Sequence, residues 1–95
     1  MRNYEAMYIL KPNMEEEAID AAVTRFEEVV KNSGGEVVKT DRWGKRRLAY
    51  ELNGVTEGFY VLMTFKAPSG AAQELDRILK IQDDVVRQLV IKKDE

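Results

Sequence analysis

The chain contains no cysteine and no histidine. The first absence excludes disulfides, thiolate metal sites and cysteine nucleophiles. The second removes the commonest acid/base group at neutral pH and the commonest metal ligand. No apolar run approaches the roughly 18 residues that span a membrane, and the N-terminus shows no signal-peptide core. These features point to an untargeted, cytoplasmic protein without a membrane partner. No serine has a histidine partner, no Gly-rich loop leads from a strand into a helix, and no metal-ligand spacing occurs. The expectation is a protein that is not an enzyme and holds no cofactor, metal or small-molecule substrate.

What is present fits one domain spanning residues 1–95, with 44% hydrophobic and 34% charged residues. A chain of this length buries about 60–65% of its unfolded surface, which is enough for a single core. The formal net charge is -2 and the pI is near 5.3, so a polyanion has to be bound by a local patch. Such a patch stands out in Trp43-Gly44-Lys45-Arg46-Arg47-Leu48-Ala49-Tyr50. Three consecutive cations sit there beside an indole and a phenol. Cations contact phosphates, and aromatic rings stack on unpaired bases.

The hydrophobic pattern gives the order of elements. Asn3 to Leu10 is apolar on both parities, as in a central strand covered on both sides. Pro12-Asn13 breaks it, with Asn13 as a candidate helix cap and Glu16 as its capping-box partner. Ile19, Ala22, Val23, Phe26, Val29 and Val30 recur at helical spacing, and Gly34-Gly35 ends that helix. The acidic run Glu15-Glu16-Glu17 suits the positive end of the helix dipole better than it suits a metal. Glu36 to Asn53 reads as a long strand with a bulge or bend at Gly44. Turn chemistry follows from Asn53-Gly54 to Gly58, then a strand from Phe59 to Lys66 with its odd residues facing the core. Ser69 is a candidate cap for a second helix bearing Leu75, Ile78 and Leu79. Asp83-Asp84 suits a turn, Val85 to Lys92 forms the last strand, and residues 92–95 form a short charged tail. Right-handed crossovers fold this order into a two-layer βαββαβ sandwich, a four-stranded antiparallel sheet with two helices on one face.

Strand alternation places Leu48, Tyr50 and Leu52 on the core side, with Lys45 and Arg47 on the open face and Arg46 at the fringe of the core. Edge strands also carry cations merely to prevent pairing with other chains. Trp43 suits a partly buried position near the bend, and Tyr50 suits core packing. Met7, Ile9, Tyr60 and Leu62 fall on the open face, where they form an apolar patch for a partner unless the stems of Lys45 and Arg47 lie over them. Acylphosphatases share the element order, but their phosphate cradle is replaced here by Lys11-Pro12-Asn13. RNA-recognition motifs share it too, but their Gly- and aromatic-rich strand is not matched between Phe59 and Lys66. A dimerising interaction or regulatory module is the alternative to an RNA-binding role.

The chain resembles the bacterial small-subunit ribosomal protein six family over essentially its whole length. The resemblance rests on Met1-Arg2-Asn3-Tyr4-Glu5 with Pro12-Asn13, on Gly44-Lys45-Arg46-Arg47-Leu48-Ala49-Tyr50, and on Asp83-Asp84-Val85-Val86-Arg87. It implies the ferredoxin-like fold and a structural, non-catalytic role in the small ribosomal subunit. It further implies binding to the central domain of 16S ribosomal RNA together with a basic partner, small-subunit ribosomal protein eighteen. By the matching motif, Lys45, Arg46 and Arg47 are the candidate RNA-binding residues, joined by Arg2, Arg87 and Lys92. Longer C-terminal tails of some relatives contact the partner, and this sequence ends at Glu95.

Overall fold

Each apolar period of the sequence becomes one element: β1 (Arg2–Leu10), α1 (Glu16–Asn32), β2 (Glu36–Leu52), β3 (Val55–Ala67), α2 (Ser69–Ile81) and β4 (Val85–Lys92). The computed structural model describes residues 1–52 and 54–93, for Leu52 the backbone only. Asn53 of the expected turn and Asp94 and Glu95 of the expected tail lie outside the described residues, as does the side chain of Leu52. The strands form one antiparallel sheet in the order β2-β3-β1-β4, and the fold is the ferredoxin-like sandwich. β1 is central, as its double parity requires, and β2 and β4 are the edges.

The core lies between the sheet and the helices. From the strands come Tyr4, Ala6, Tyr8, Leu10, Val61, Met63, Phe65 and Ala67, and the helices contribute Ile19, Phe26, Val30, Leu75 and Leu79 among others. Burying each larger side chain contributes about 1.5–3 kcal/mol. The odd residues of β3 therefore face the core, as their pattern predicts. Tyr8 and Phe26 meet edge to face with centroids 5.0 Å apart, and Tyr4 stacks on Phe65 at 5.4 Å.

The helix ends follow the sequence at the C-terminus of α1 and depart from it at both N-termini. After α1, Gly34 donates to the Lys31 carbonyl at 3.1 Å and Gly35 to the Val30 carbonyl at 2.9 Å, which is the Schellman pattern. Gly34 takes φ +87 there. A Cβ on Gly35 would lie 2.8 Å from the Ala67 Cβ, so the turn packs tightly on β3. At the start of α1 the cap position is Glu15, with no side-chain cap bond. The Asn13–Glu16 capping box does not form, because the Pro12-Asn13 turn is followed by two further non-helical residues. The dipole is met instead by Glu16 and Glu17 in the first turn. In α2, Pro68 holds the cap position and Ser69 is already helical. Proline fixes φ near its observed -64, which suits a helix entry without a side-chain bond.

The bulge forecast at Gly44 is present. Arg42 pairs with Val61 and Gly44 with Tyr60, leaving Trp43 as the extra residue, and Gly44 takes φ +89. Beyond it the β2–β3 hairpin outruns the rest of the sheet, since β1 pairing ends at Leu10↔Phe59. Gly58 allows the two to approach, because a Cβ there would lie 2.2 Å from Ile9 Cγ2.

Candidate nucleic-acid and partner interface

Pairing across the strands fixes which residues share the face opposite the helices. Directly paired residues of antiparallel strands project to the same side. Met7 pairs with Leu62 and Leu89, and Ile9 with Tyr60 and Arg87. Met7, Ile9, Tyr60 and Leu62 therefore lie together, as their parity indicates, and Arg87 and Leu89 from β4 join them.

The hairpin end of this face differs from the sequence expectation. Lys45 pairs with Phe59 and Arg47 with Glu57, and Phe59 packs against the core. Lys45 and Arg47 thus belong to the helix side of the strand, and Arg46 to the open face. Leu48 and Tyr50 also turn to the open face instead of the core. Leu48 is only 7% exposed and covers Ile9, which is 6% exposed. Tyr50 is 59% exposed, and its hydroxyl accepts a 2.8 Å hydrogen bond from Arg87 Nη1. The physical reason is the reach of the hairpin. Residues beyond Phe59 have no helix layer beneath them, so their apolar side chains turn onto the sheet's other face. The expected cover by Lys45 and Arg47 stems is replaced by cover from Leu48.

Three contacts on this face escape sequence reasoning. Trp43 stacks on Tyr60 with centroids 6.3 Å apart and rings 7° from parallel. The Arg46 guanidinium lies 5.4 Å from the indole centroid, a cation–π distance. Trp43 remains 41% exposed, in keeping with a partly buried ring near a bend. The Tyr50–Arg87 bond joins the two edge strands across the face, a contact that depends on how the hairpin curls. The only signal for any of them was Gly44, which marks where the strand changes register.

The candidate cations fall into separate places. Arg46 and Arg87 share the open face at its hairpin end, with Lys45 and Arg47 on the other side of the same strand. Arg2 pairs with Ala67, and Lys92 pairs with Tyr4. Both are therefore at the opposite end of the sheet, on the order of 20 Å from Arg87 at the usual rise per residue. Lys45, Arg46 and Arg47 are exposed and form no ion pair among the described residues. Their neighbours Lys39 and Arg42 are held by Asp41 and Asp20.

The apolar part of the face stays open. Leu89 and Ile91 are exposed on it, beside a depression of about 210 Å³ lined by Met7, Ile9, Tyr60, Arg87, Gln88 and Leu89. That volume is below the roughly 300–1,000 Å³ of small-ligand pockets. It suits a single inserted side chain. Among the described residues no three acidic side chains converge to hold a metal, and no helix is long and apolar enough to cross a membrane.

Comparison with known proteins places this arrangement. The family model for Ribosomal protein S6 matches residues 3–92. The small ribosomal subunit protein bS6 of Desulforamulus reducens is 57% identical over 95 residues, all of both chains. That of Carboxydothermus hydrogenoformans is 53% identical over all of this chain and 99% of its own. The crystal structure of 30S ribosomal protein S6 from Thermotoga maritima superposes with a TM-score of 0.91 at 29% identity, covering 97% of this chain and 87% of that one. The P2 domain of the Thermotoga maritima chemotaxis kinase CheA, at 15% identity and a TM-score of 0.60, shares the fold alone.

Proposed function

The chain belongs to the ribosomal protein S6 family, proteins of the small ribosomal subunit, and from that premise we propose that it binds the central domain of 16S ribosomal RNA jointly with small-subunit ribosomal protein eighteen. The role is structural. The observation that carries this reading is the uninterrupted Lys45-Arg46-Arg47 run, exposed and free of ion pairs among the described residues, on a chain of net charge -2. Cations left without acidic partners are available to phosphates. The apolar part of the open face that Arg46 borders, with Met7, Leu62, Leu89 and Ile91, supports a protein partner beside the RNA. A basic partner supplies the phosphate neutralisation that an acidic chain lacks. Arg87 belongs with Arg46 in this interface, while Arg2 and Lys92 form a separate, distal contact.

The test is reconstitution of the chain with its partner and central-domain RNA across a salt series. Replacing Arg46→Ala with Arg47→Ala is expected to weaken binding and to flatten the slope of log K against log salt by about 1.4–1.8, since each phosphate contact contributes about 0.7–0.9. An unchanged slope sinks the assignment of the triplet to RNA. A pull-down with and without RNase adds a second check. Recovery of small-subunit components supports the reading, and a tight homodimer with no affinity for RNA points instead to a dimerising interaction module.

A further inference from the structure

Trp43 is an unusual residue to leave at a strand edge, because the bulge at Gly44 turns it out of the ladder and onto the open face. There it does not lie loose. Its ring is held nearly parallel to Tyr60, at 7° and 6.3 Å, and the Arg46 guanidinium lies against it at 5.4 Å. Tyr60 is itself half-buried on the sheet, so the indole is fixed in orientation before any ligand arrives. Yet 41% of Trp43 stays exposed. An oriented, half-open ring beside a cation with no ion pair among the described residues has the chemistry of a nucleotide site: a π-face for a base and a guanidinium for its phosphate.

We infer that Trp43 is a stacking platform for one unpaired nucleobase, with Arg46 moving from the indole to that nucleotide's phosphate as the base takes its place. This rests on the RNA-binding reading and adds to it a base contact alongside the phosphate contacts. The exchange is favourable for simple reasons. The guanidinium–indole contact at an exposed site is weak, so it is given up readily, whereas a base covers far more of the ring. Arg46 then gains a charge-assisted hydrogen bond that an aromatic face cannot offer. Lys45 and Arg47 project to the other side of the same strand, where they hold the flanking backbone. The platform therefore selects a flipped-out base within a folded RNA and does not read a continuous duplex.

The chain's single tryptophan makes the test direct, because tryptophan emission, excited beyond the absorption of tyrosine, reports this site alone. The free protein is titrated at low salt with a short oligoadenylate and with an abasic ribose-phosphate oligomer of the same length. Quenching by oligoadenylate and not by the abasic oligomer is the expected result; an equal response, or none, overturns the platform. In the reconstituted complex with partner and central-domain RNA, Trp43→Leu is expected to weaken binding by about tenfold, within the range of one lost base stack. Trp43→Phe, which keeps a π-face, recovers most of it. If Trp43→Leu binds like the parent while the Arg46→Ala and Arg47→Ala pair flattens the salt slope, the platform fails and the RNA reading stands. If neither change has an effect, the RNA reading of this corner falls with it. Thermal melts of each variant confirm that the half-exposed position leaves the fold intact.

Discussion

Among the described buried side chains, Tyr8 stands apart because its hydroxyl has no hydrogen-bond partner. The ring packs edge to face on Phe26, so its apolar body is well placed and its polar tip is not. Burial raises the phenol's pKa; the nearby Glu27 charge adds to the rise and Arg42 opposes it. The sign of the consequence follows. An unfolded chain releases this proton near the ordinary phenol value of about 10, while the folded chain keeps it. The tyrosine's contribution is thus fully present below pH ~10 and is lost as pH climbs above it. Tyr8→Phe removes an unsatisfied group and should leave stability at neutral pH unchanged or improved by up to about 1 kcal/mol. It should also reduce the alkaline loss. Urea denaturation of both proteins on either side of pH ~10 measures this, and a loss of several kcal/mol at neutral pH would show that the hydroxyl is satisfied after all.

At the scale of the element, β2 shows what a sequence pattern contains and what it omits. Leu48 and Tyr50 alternate with Arg47 and Ala49, which correctly indicates a strand with two unlike faces. Alternation does not say which face is which. That depends on the register through the Gly44 bulge and on how far the hairpin outruns the helices, and both are tertiary facts. β1 was easier to read, since residues apolar on both parities point to a strand with neighbours on either side, and β1 lies between β3 and β4. The helix starts fail for a related reason. Asn13 and Ser69 have the right chemistry for caps, but backbone geometry at Pro12 and Pro68 decides where each helix begins. The candidate site was legible as a run of cations, Lys45, Arg46 and Arg47, and illegible as a surface, because those cations divide between two faces and Trp43, Tyr60 and Arg87 come from three strands. The curled hairpin carries its own prediction. Tyr50→Phe breaks the 2.8 Å bond to Arg87 and is expected to speed amide exchange across the hairpin end of β2 and β3 by up to about tenfold, since such a bond is worth about 0.5–1.5 kcal/mol. Amides of β1 should keep their protection. Equal loosening of both would mean that the bond supports the whole sheet.

Across the whole molecule, charge makes the proposed interaction with RNA a local one. With net charge -2, the chain has no long-range attraction for a polyanion, so in the proposed role RNA binding has to rest on the local corner of cations. The free protein is accordingly expected to show no measurable binding to random-sequence duplex RNA at physiological salt, by mobility shift. Robust duplex binding would contradict a platform that selects unpaired bases. The sheet order has a different kind of consequence, in time. β1 is synthesised first, yet its neighbours in the sheet are β3 and β4, and its last partner reaches to Lys92. At synthesis rates of about 5–20 residues per second, the nascent strand waits several seconds for that partner to emerge. Throughout that wait Tyr4, Ala6, Tyr8 and Leu10 on one side and Met7 and Ile9 on the other can be shielded only in part, by α1 and then by β3. A strand that ends up inside the sheet of the finished protein is the one left longest unmatched while the protein is being made.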